Sequence, residues 1–195
     1  GYDITLSTPS LNNSSGAIRA DRDLSFTGSG TLDNTSGLLS AGNLLSIQDA
    51  QTFSTLAITN TGGRQIAGQK LDIKAASLTG DGQLLALGDL KLALTGSFTN
   101  SNKVQAGNNL NLSTQGAFSN SGTLQAGNKL DLSAAAIDNQ ASGEISALGT
   151  THLTTPGTLT NRGLIDGSDT RIDATTVNNL GSGRIYGDHL SIAAT

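Results

Sequence analysis

The chain has 195 residues, with 25 Gly, 3% aromatic residues, 13% charged residues and no Cys, Met or Trp. This length suits one domain or one elongated array, and a hydrophobic share of 35% is too low for a compact core built on aromatic side chains. A formal net charge of −4 at pH 7 provides no basic surface for a phosphate backbone, which argues against nucleic acid as a partner.

Residue usage also argues against helices of either the soluble or the membrane kind. Among the 15 acidic residues only Glu144 is Glu, and the others are Asp. Asp favours turns, whereas Glu favours helices. No apolar run approaches the length of about 20 residues that a membrane helix needs, and no transmembrane segment is predicted. The start Gly1-Tyr2-Asp3 resembles neither a signal peptide nor a natural initiator, and we expect the chain to be a segment of a longer protein.

An internal repeat of about 20 residues is the main signal in the sequence. Each unit contains an apolar-polar-apolar triplet, and its second apolar residue serves as an anchor. The anchors are Leu6, Phe26, Ile47, Ile73, Leu92, Leu112, Leu132, Leu153, Ile172 and Ile192. The intervals are 20, 21, 26, 19, 20, 20, 21, 19 and 20, with a mean of (192−6)/9, about 20.7. Only the third interval departs strongly from this mean.

Two further positions recur after each anchor. A second apolar position is followed two residues later by Asn in eight of nine units, with Gly80 as the exception. These asparagines are Asn13, Asn34, Asn60, Asn100, Asn120, Asn139, Asn161 and Asn179. A third apolar position follows at Ile18, Leu39, Ile66, Leu85, Val104, Leu124, Ile145, Ile165 and Ile185, and Gly usually comes soon after it.

Three short segments of period-two alternation, separated by turn residues, predict three strands in each unit. The predicted fold is therefore all-β: a parallel β-helix of about nine to ten coils of roughly 20 residues. Residues 1–195 are expected to form a single β-helical array with a coil extension near residues 48–59. Neighbouring coils should lie about 4.8 Å apart and stack Phe98 on Phe118. A leucine-rich repeat fits less well, because its Asn follows the apolar residue by three positions and its convex side needs helix formers.

The unit from Leu110 to Lys129, LNLSTQGAFSNSGTLQAGNK, resembles the filamentous haemagglutinin repeat, which reads LxLxxxxxLxNxGxLxAGxx in short form. The resemblance covers essentially the whole chain and is weakest in the third and fourth units. It implies a right-handed β-helical shaft in a large exoprotein of a Gram-negative two-partner secretion system. A dedicated outer-membrane transporter exports such proteins, which are adhesins or contact-dependent growth inhibition effectors.

The function expected from this resemblance is that of a secreted, cell-surface shaft, without enzyme activity or cofactor. It would present distal adhesive or toxin regions, and those other regions would bind the receptor or glycan of the target cell. One alternative is a glycan- or receptor-binding module within the filament. Another is a polysaccharide-degrading β-helix enzyme, for which Asp72, Asp131, Asp166, Asp169 and Asp173 are the available carboxylates.

Several side chains are candidates for sites. We expect the repeated asparagines to be structural turn residues whose amides bond from coil to coil or to nearby backbone, rather than ligands. The only histidines are His152, expected on the outer face, and His189, expected in a turn. The middle triplet residues should form an outward ladder: Asp72, Lys91, Asn111, Asp131, His152 and Arg171. Phe53 and Leu56 in the long third unit mark a candidate binding loop, with a widened coil that packs Phe53 inward as the alternative.

Overall fold

The computed structural model describes residues 1–52 and 55–194, and within them it contains parallel strands and no helix. The predicted β-helix is confirmed as a β-solenoid of about ten turns. In chain order the first strands are β1 (Asp3–Ser7), β2 (Leu11–Asn12), β3 (Ala17–Ala20), β4 (Asp23–Gly28), β5 (Thr31–Asp33), β6 (Leu38–Ala41), β7 (Leu44–Asp49), β8 (Ala57–Thr59), β9 (Arg64–Ala67), β10 (Lys70–Ala75), β11 (Ser77–Thr79), β12 (Gln83–Ala86) and β13 (Asp89–Leu94). They are followed by β14 (Phe98–Asn100), β15 (Lys103–Ala106), β16 (Asn109–Thr114), β17 (Ala117–Asn120), β18 (Thr123–Ala126), β19 (Lys129–Ser133), β20 (Ala136–Asn139), β21 (Glu144–Ala147), β22 (Thr150–Asn161), β23 (Leu164–Asp166), β24 (Asp169–Asn179), β25 (Arg184–Ile185) and β26 (His189–Ala194).

Each coil contributes a first, a second and a third strand, and each strand pairs in parallel with its counterparts in the neighbouring coils. The first strands begin with β1, β4 and β7, and the third strands run from β3 to β25 in a nine-stranded sheet. In β22 and β24 one long strand supplies both the first and the second strand of its coil. The register joins anchor to anchor, as in Leu6 to Phe26 and Phe26 to Ile47. The repeat period in the sequence is therefore the length of one turn.

The core is a set of aliphatic columns that run along the axis of the solenoid. The first strand of most coils turns two residues inward, and pairs such as Leu45 and Ile47 or Leu71 and Ile73 are fully buried. Phe98 and Phe118 stack with ring centroids 5.9 Å apart, as predicted. Because strands alternate with period two, every inward residue meets its own counterpart in the next coil rather than a different partner.

Two residues of the predicted third apolar position were assigned to the wrong face. Ile66 and Leu85 point outward, while Gln65 and Leu84 occupy the inward position between Leu39 and Val104. In these coils a buried alanine two residues further along marks the inward face of the strand: Ala41 after Leu39, Ala67 after Gln65 and Ala86 after Leu84. A shift of one residue exchanges the two faces of a strand, so choosing the most apolar neighbour gives the wrong answer here.

Gln65 is consequently a polar residue in the middle of the core. Its side chain is fully buried, and neither amide atom has a hydrogen-bond partner within residues 1–52 and 55–194. A buried amide without partners lowers the stability of a protein by about 1–3 kcal/mol.

Replacing Gln65 by Leu should therefore stabilise the solenoid, because Leu39 and Leu84 fill the same position in the adjacent coils. The expected gain in the free energy of unfolding is about 1–3 kcal/mol, measured by chemical denaturation. Gln83→Leu, at a partly exposed position of β12, is the matched control and should change little. A Gln65→Leu protein no more stable than the wild type would contradict the buried placement.

Candidate functional site

The repeated asparagines lie at the same corner of successive coils, where the second strand ends. Asn13, Asn34, Asn60, Asn100, Asn120, Asn139 and Asn161 are buried, and Asn179 is exposed. The side-chain Nδ2 of one residue donates to Oδ1 of its counterpart in the next coil over 2.7–2.9 Å, from Asn13 to Asn60 and again from Asn100 to Asn179. We call these two runs the asparagine ladder.

Each ladder residue that donates to a counterpart also donates to a backbone carbonyl inside the rod. Asn120 Nδ2 donates to the carbonyl oxygen of Glu144 over 3.0 Å, and Asn139 Nδ2 donates to that of Leu164 over 3.0 Å. The amide thus joins the second strand of one coil to the third strand of the next as well as to its own counterpart. A buried amide whose donors are both satisfied in this way has none left for an external glycan.

Truncating one rung should cost stability rather than binding. Asn120→Ala removes the bonds that Asn120 makes to Asn139 and Glu144 and the one that it accepts from Asn100. We expect a loss of about 1–3 kcal/mol in the free energy of unfolding, measured by chemical denaturation. Asn111→Ala, at an exposed position on the outer face, is the control. Equal stability of the two variants would show that the ladder does not hold the coils together.

Asp49, at the end of β7, binds described residues that lie between it and β8. The Asp49 carboxylate accepts the N–H groups of Gln51, Thr55 and Leu56 over 2.7–2.8 Å and the Thr55 hydroxyl over 2.9 Å. Burial raises the pKa of Asp49, but these donors outweigh it and hold the pKa below its ordinary value. Leu56 is fully buried and so is not available to an external ligand, whereas Phe53 lies outside the described residues.

The outer face of the first-strand sheet carries the predicted ladder of middle residues. The register joins Asp72, Lys91, Asn111, Asp131, His152 and Arg171 in consecutive coils, as the alternation predicted. His152 lies between two carboxylates: Nδ1 is 3.4 Å from Asp131 Oδ1, and Nε2 is 3.0 Å from Asp173 Oδ2. This surface network ties β19, β22 and β24 together.

Two cations complete the network around His152. Lys129 Nζ lies 2.9 Å from Asp131, and Arg171 Nε donates to Asp173 over 2.9 Å. The hydrogen bond from His152 and then those from Arg171 lower the pKa of Asp173 below its ordinary value. Any stability that the Asp173 carboxylate adds is therefore fully present above its ordinary pKa and is lost as the pH falls through the lower value of the folded state.

Removing the imidazole should raise the pKa of Asp173 towards its ordinary value, 3.8. We expect a carboxyl-detected NMR titration of His152→Gln to show this change. The internal control is Asp33, whose pKa is lowered by Thr35 and which should titrate identically in both proteins. A pKa of Asp173 unchanged by the substitution would contradict the contact.

The remaining candidate groups do not form a metal centre or a shared site with this network. The described part of the chain has no group of three or more His, Asp or Glu side chains arranged to hold a metal ion. His189 begins β26 and does not lie in a turn, because the strand extends one residue further than predicted and pairs with Asp169. Asp166 and Asp188 line an open depression of about 560 Å³ on the last coils, where Asp188 accepts the Ser168 hydroxyl over 2.9 Å.

A known repeat family matches the sequence of these stacked coils. The haemagglutinin repeat model matches residues 2–102, 65–122, 86–163 and 125–195, which together span nearly the whole chain. The chain belongs to the haemagglutinin repeat family. Searches of curated proteins and of solved structures gave no significant match.

This is a structural, adhesin-type family, and membership of it suggests a filamentous, adhesin-like shaft. The stacked coils and the asparagine ladder of this haemagglutinin repeat chain are consistent with such a shaft. Among the described residues no helix is long and apolar enough to cross a lipid bilayer.

Proposed function

We propose that this haemagglutinin repeat segment is a stiff spacer that presents distal adhesive or toxin regions of a secreted filamentous protein. The observation that carries the proposal is the direction of its bonds. The strands of each coil hydrogen-bond to the adjacent coils, and the asparagine ladder adds side-chain bonds along the same axis. A rod whose bonds run along its axis resists bending and stretching, which is what a spacer requires.

We also propose a location and an export route for the filament. A cell-surface filament of a Gram-negative bacterium would be exported by an outer-membrane transporter of a two-partner secretion system. Each new coil finds its strand partners on the previous coil, so folding can proceed coil by coil as the chain emerges. Support comes from the family and from the absence of Cys, since a chain without disulfides can cross membranes unfolded.

A comparison of two kinds of variant in the intact exoprotein on its own cells tests the spacer function. Deleting residues 109–149 removes two coils and joins Asn108 to Thr150, which keeps the register of the first-strand sheet. We expect this shortening to reduce contact with target cells while the amount of exoprotein on the surface stays constant. The triple variant Lys91→Ser, Asn111→Ser and Asp131→Ser should keep full contact.

The opposite pattern would favour the binding-module alternative. If the outer-face variant loses contact with target cells and the shortened filament keeps it, the segment binds a glycan or receptor itself. Secretion that does not depend on a co-expressed outer-membrane transporter would separately contradict the proposed export route.

A further inference from the structure

The sheet of second strands is interrupted between the fourth and fifth coils. Strands β2, β5, β8 and β11 form a four-stranded sheet that ends at β11, and the next run of second strands begins at β14. No strand pairing joins β11 to β14 in the described part of the chain. The other two sheets continue across the same coils, through β10 with β13 and β12 with β15. At this level one of the three sheets therefore lacks its strand pairing, and the backbone bond that remains at this edge among the described residues is the one from the N–H of Gly96 to Ala76 O over 2.8 Å, just before the two strands begin.

The missing bonds can be identified from the coils before the gap. The N–H of Asn34 donates to Thr59 O, and the N–H of Asn60 donates to Thr79 O, both over 2.8 Å. By the same register Gly80 would donate to Thr99 O, but residues 1–52 and 55–194 contain no such backbone bond. Unpaired backbone groups inside a sheet expose the flanking strands to water.

The asparagine ladder is broken in the same coil. Gly80 stands in the ladder position with φ of +98°, and a Cβ built there would lie 2.5 Å from the backbone N of Thr61. Asn60 Nδ2 keeps only a 3.4 Å contact with the carbonyl oxygen of Gln83, whereas Asn100 Nδ2 donates to Asn120 over 2.8 Å. The positive φ disfavours any side chain, and the close contact with the backbone leaves no room for the Asn that would complete the ladder.

The two interruptions enclose space. A crevice of about 440 Å³ is lined by Leu78, Thr79, Asp81 and Thr99 together with neighbouring hydroxyl-bearing side chains. A smaller cavity of about 10 Å³ lies between Asn60 and Asn100. One side-chain bond crosses here, from Asn102 Nδ2 to the carbonyl oxygen of Asp81 over 2.8 Å. The small cavity has room for about one water molecule between two side-chain amides, and the open crevice beside it lets water reach this corner of the rod.

We propose that this edge between the fourth and fifth coils, which we call the seam, opens locally while the two other sheets stay paired and act as the hinge. The rod then consists of two blocks that move about the seam, with the first four coils in one block and the later coils in the other. A lateral load would open the seam before it unfolds either block. This behaviour does not depend on the proposed spacer function, because it follows from the pairing of the strands alone.

Residue-resolved native-state hydrogen exchange on the whole chain tests the seam. Thr99 and Thr79 are a matched pair: the same residue type at the same position in adjacent coils. Thr79 O accepts the Asn60 N–H, so the backbone groups of Thr79 face the paired strand β8, whereas the corresponding groups of Thr99 face the seam. We expect the Thr99 amide to exchange at least tenfold faster than the Thr79 amide, with little dependence on denaturant. Equal protection, or exchange of Thr99 only through global unfolding, would overturn the proposal.

Thiol labelling gives a second readout, because the chain contains no Cys of its own. Leu78→Cys places a buried thiol beside the seam, and Ile58→Cys places one at the equivalent position of the preceding coil. Leu78→Cys should react with a water-soluble thiol reagent at least tenfold faster under native conditions. Equal rates in two folded variants would contradict local opening, and the exchange measurement stands if either variant fails to fold.

Discussion

Everything in this structure depends on the requirement that each coil finds its partners in the next coil, about 4.8 Å away. A single turn of about 20 residues buries too few side chains to offset the entropy of ordering them, so its strands, amides and aliphatic groups must be completed by neighbours. The same kind of residue therefore returns at each position: Ile47 above Phe26 in the core, and Asn34 above Asn13 at the corner. The composition of the chain follows from this constraint, since turns take the Gly, Asn and Asp and the narrow core needs only aliphatic columns.

Much of the fold could be predicted because the apolar residues and asparagines recur at regular intervals in the sequence. The anchors, the stack of Phe98 on Phe118 and the outward ladder through Lys91 and Asn111 all follow from period and alternation. Which residue of each strand points inward is harder to predict than the length of the repeat. Ile66 is the more apolar residue of its pair, yet Gln65 is the one that points inward, on the same face as the buried Ala67. An alternation rule applied one residue at a time cannot decide between them.

The candidate site required three-dimensional information for a different reason. Asn recurrence and the exceptional Gly80 are visible in the sequence, but the loss of strand pairing between β11 and β14 depends on backbone direction at one corner. Likewise, alternation places His152 on the outer face, but only coordinates show that its two nitrogens face Asp131 and Asp173. Such contacts depend on side-chain conformation, which the period and alternation of the sequence do not specify.

The polar side chains described above mostly bind to other parts of the rod and so stabilise it. Ladder amides bond to each other, and the carboxylates of Asp49, Asp131 and Asp173 are held by neighbouring donors or cations. Such a surface suits a spacer, and the seam gives that spacer one defined place to bend. Each repeat adds one coil and the same axial distance to the rod, including the longer third repeat.

Spin-label distances measure the axial distance per coil directly, and the absence of native Cys makes double-Cys labelling clean. One label at Thr5 and the second at Lys91, Asn111 or Arg171 samples outer-face positions four, five and eight coils away in the strand register. The predicted distances are about 19, 24 and 38 Å, a straight line with a slope of about 4.8 Å per coil. Distances that do not rise in proportion to coil number would contradict the stacked solenoid and the account built on it.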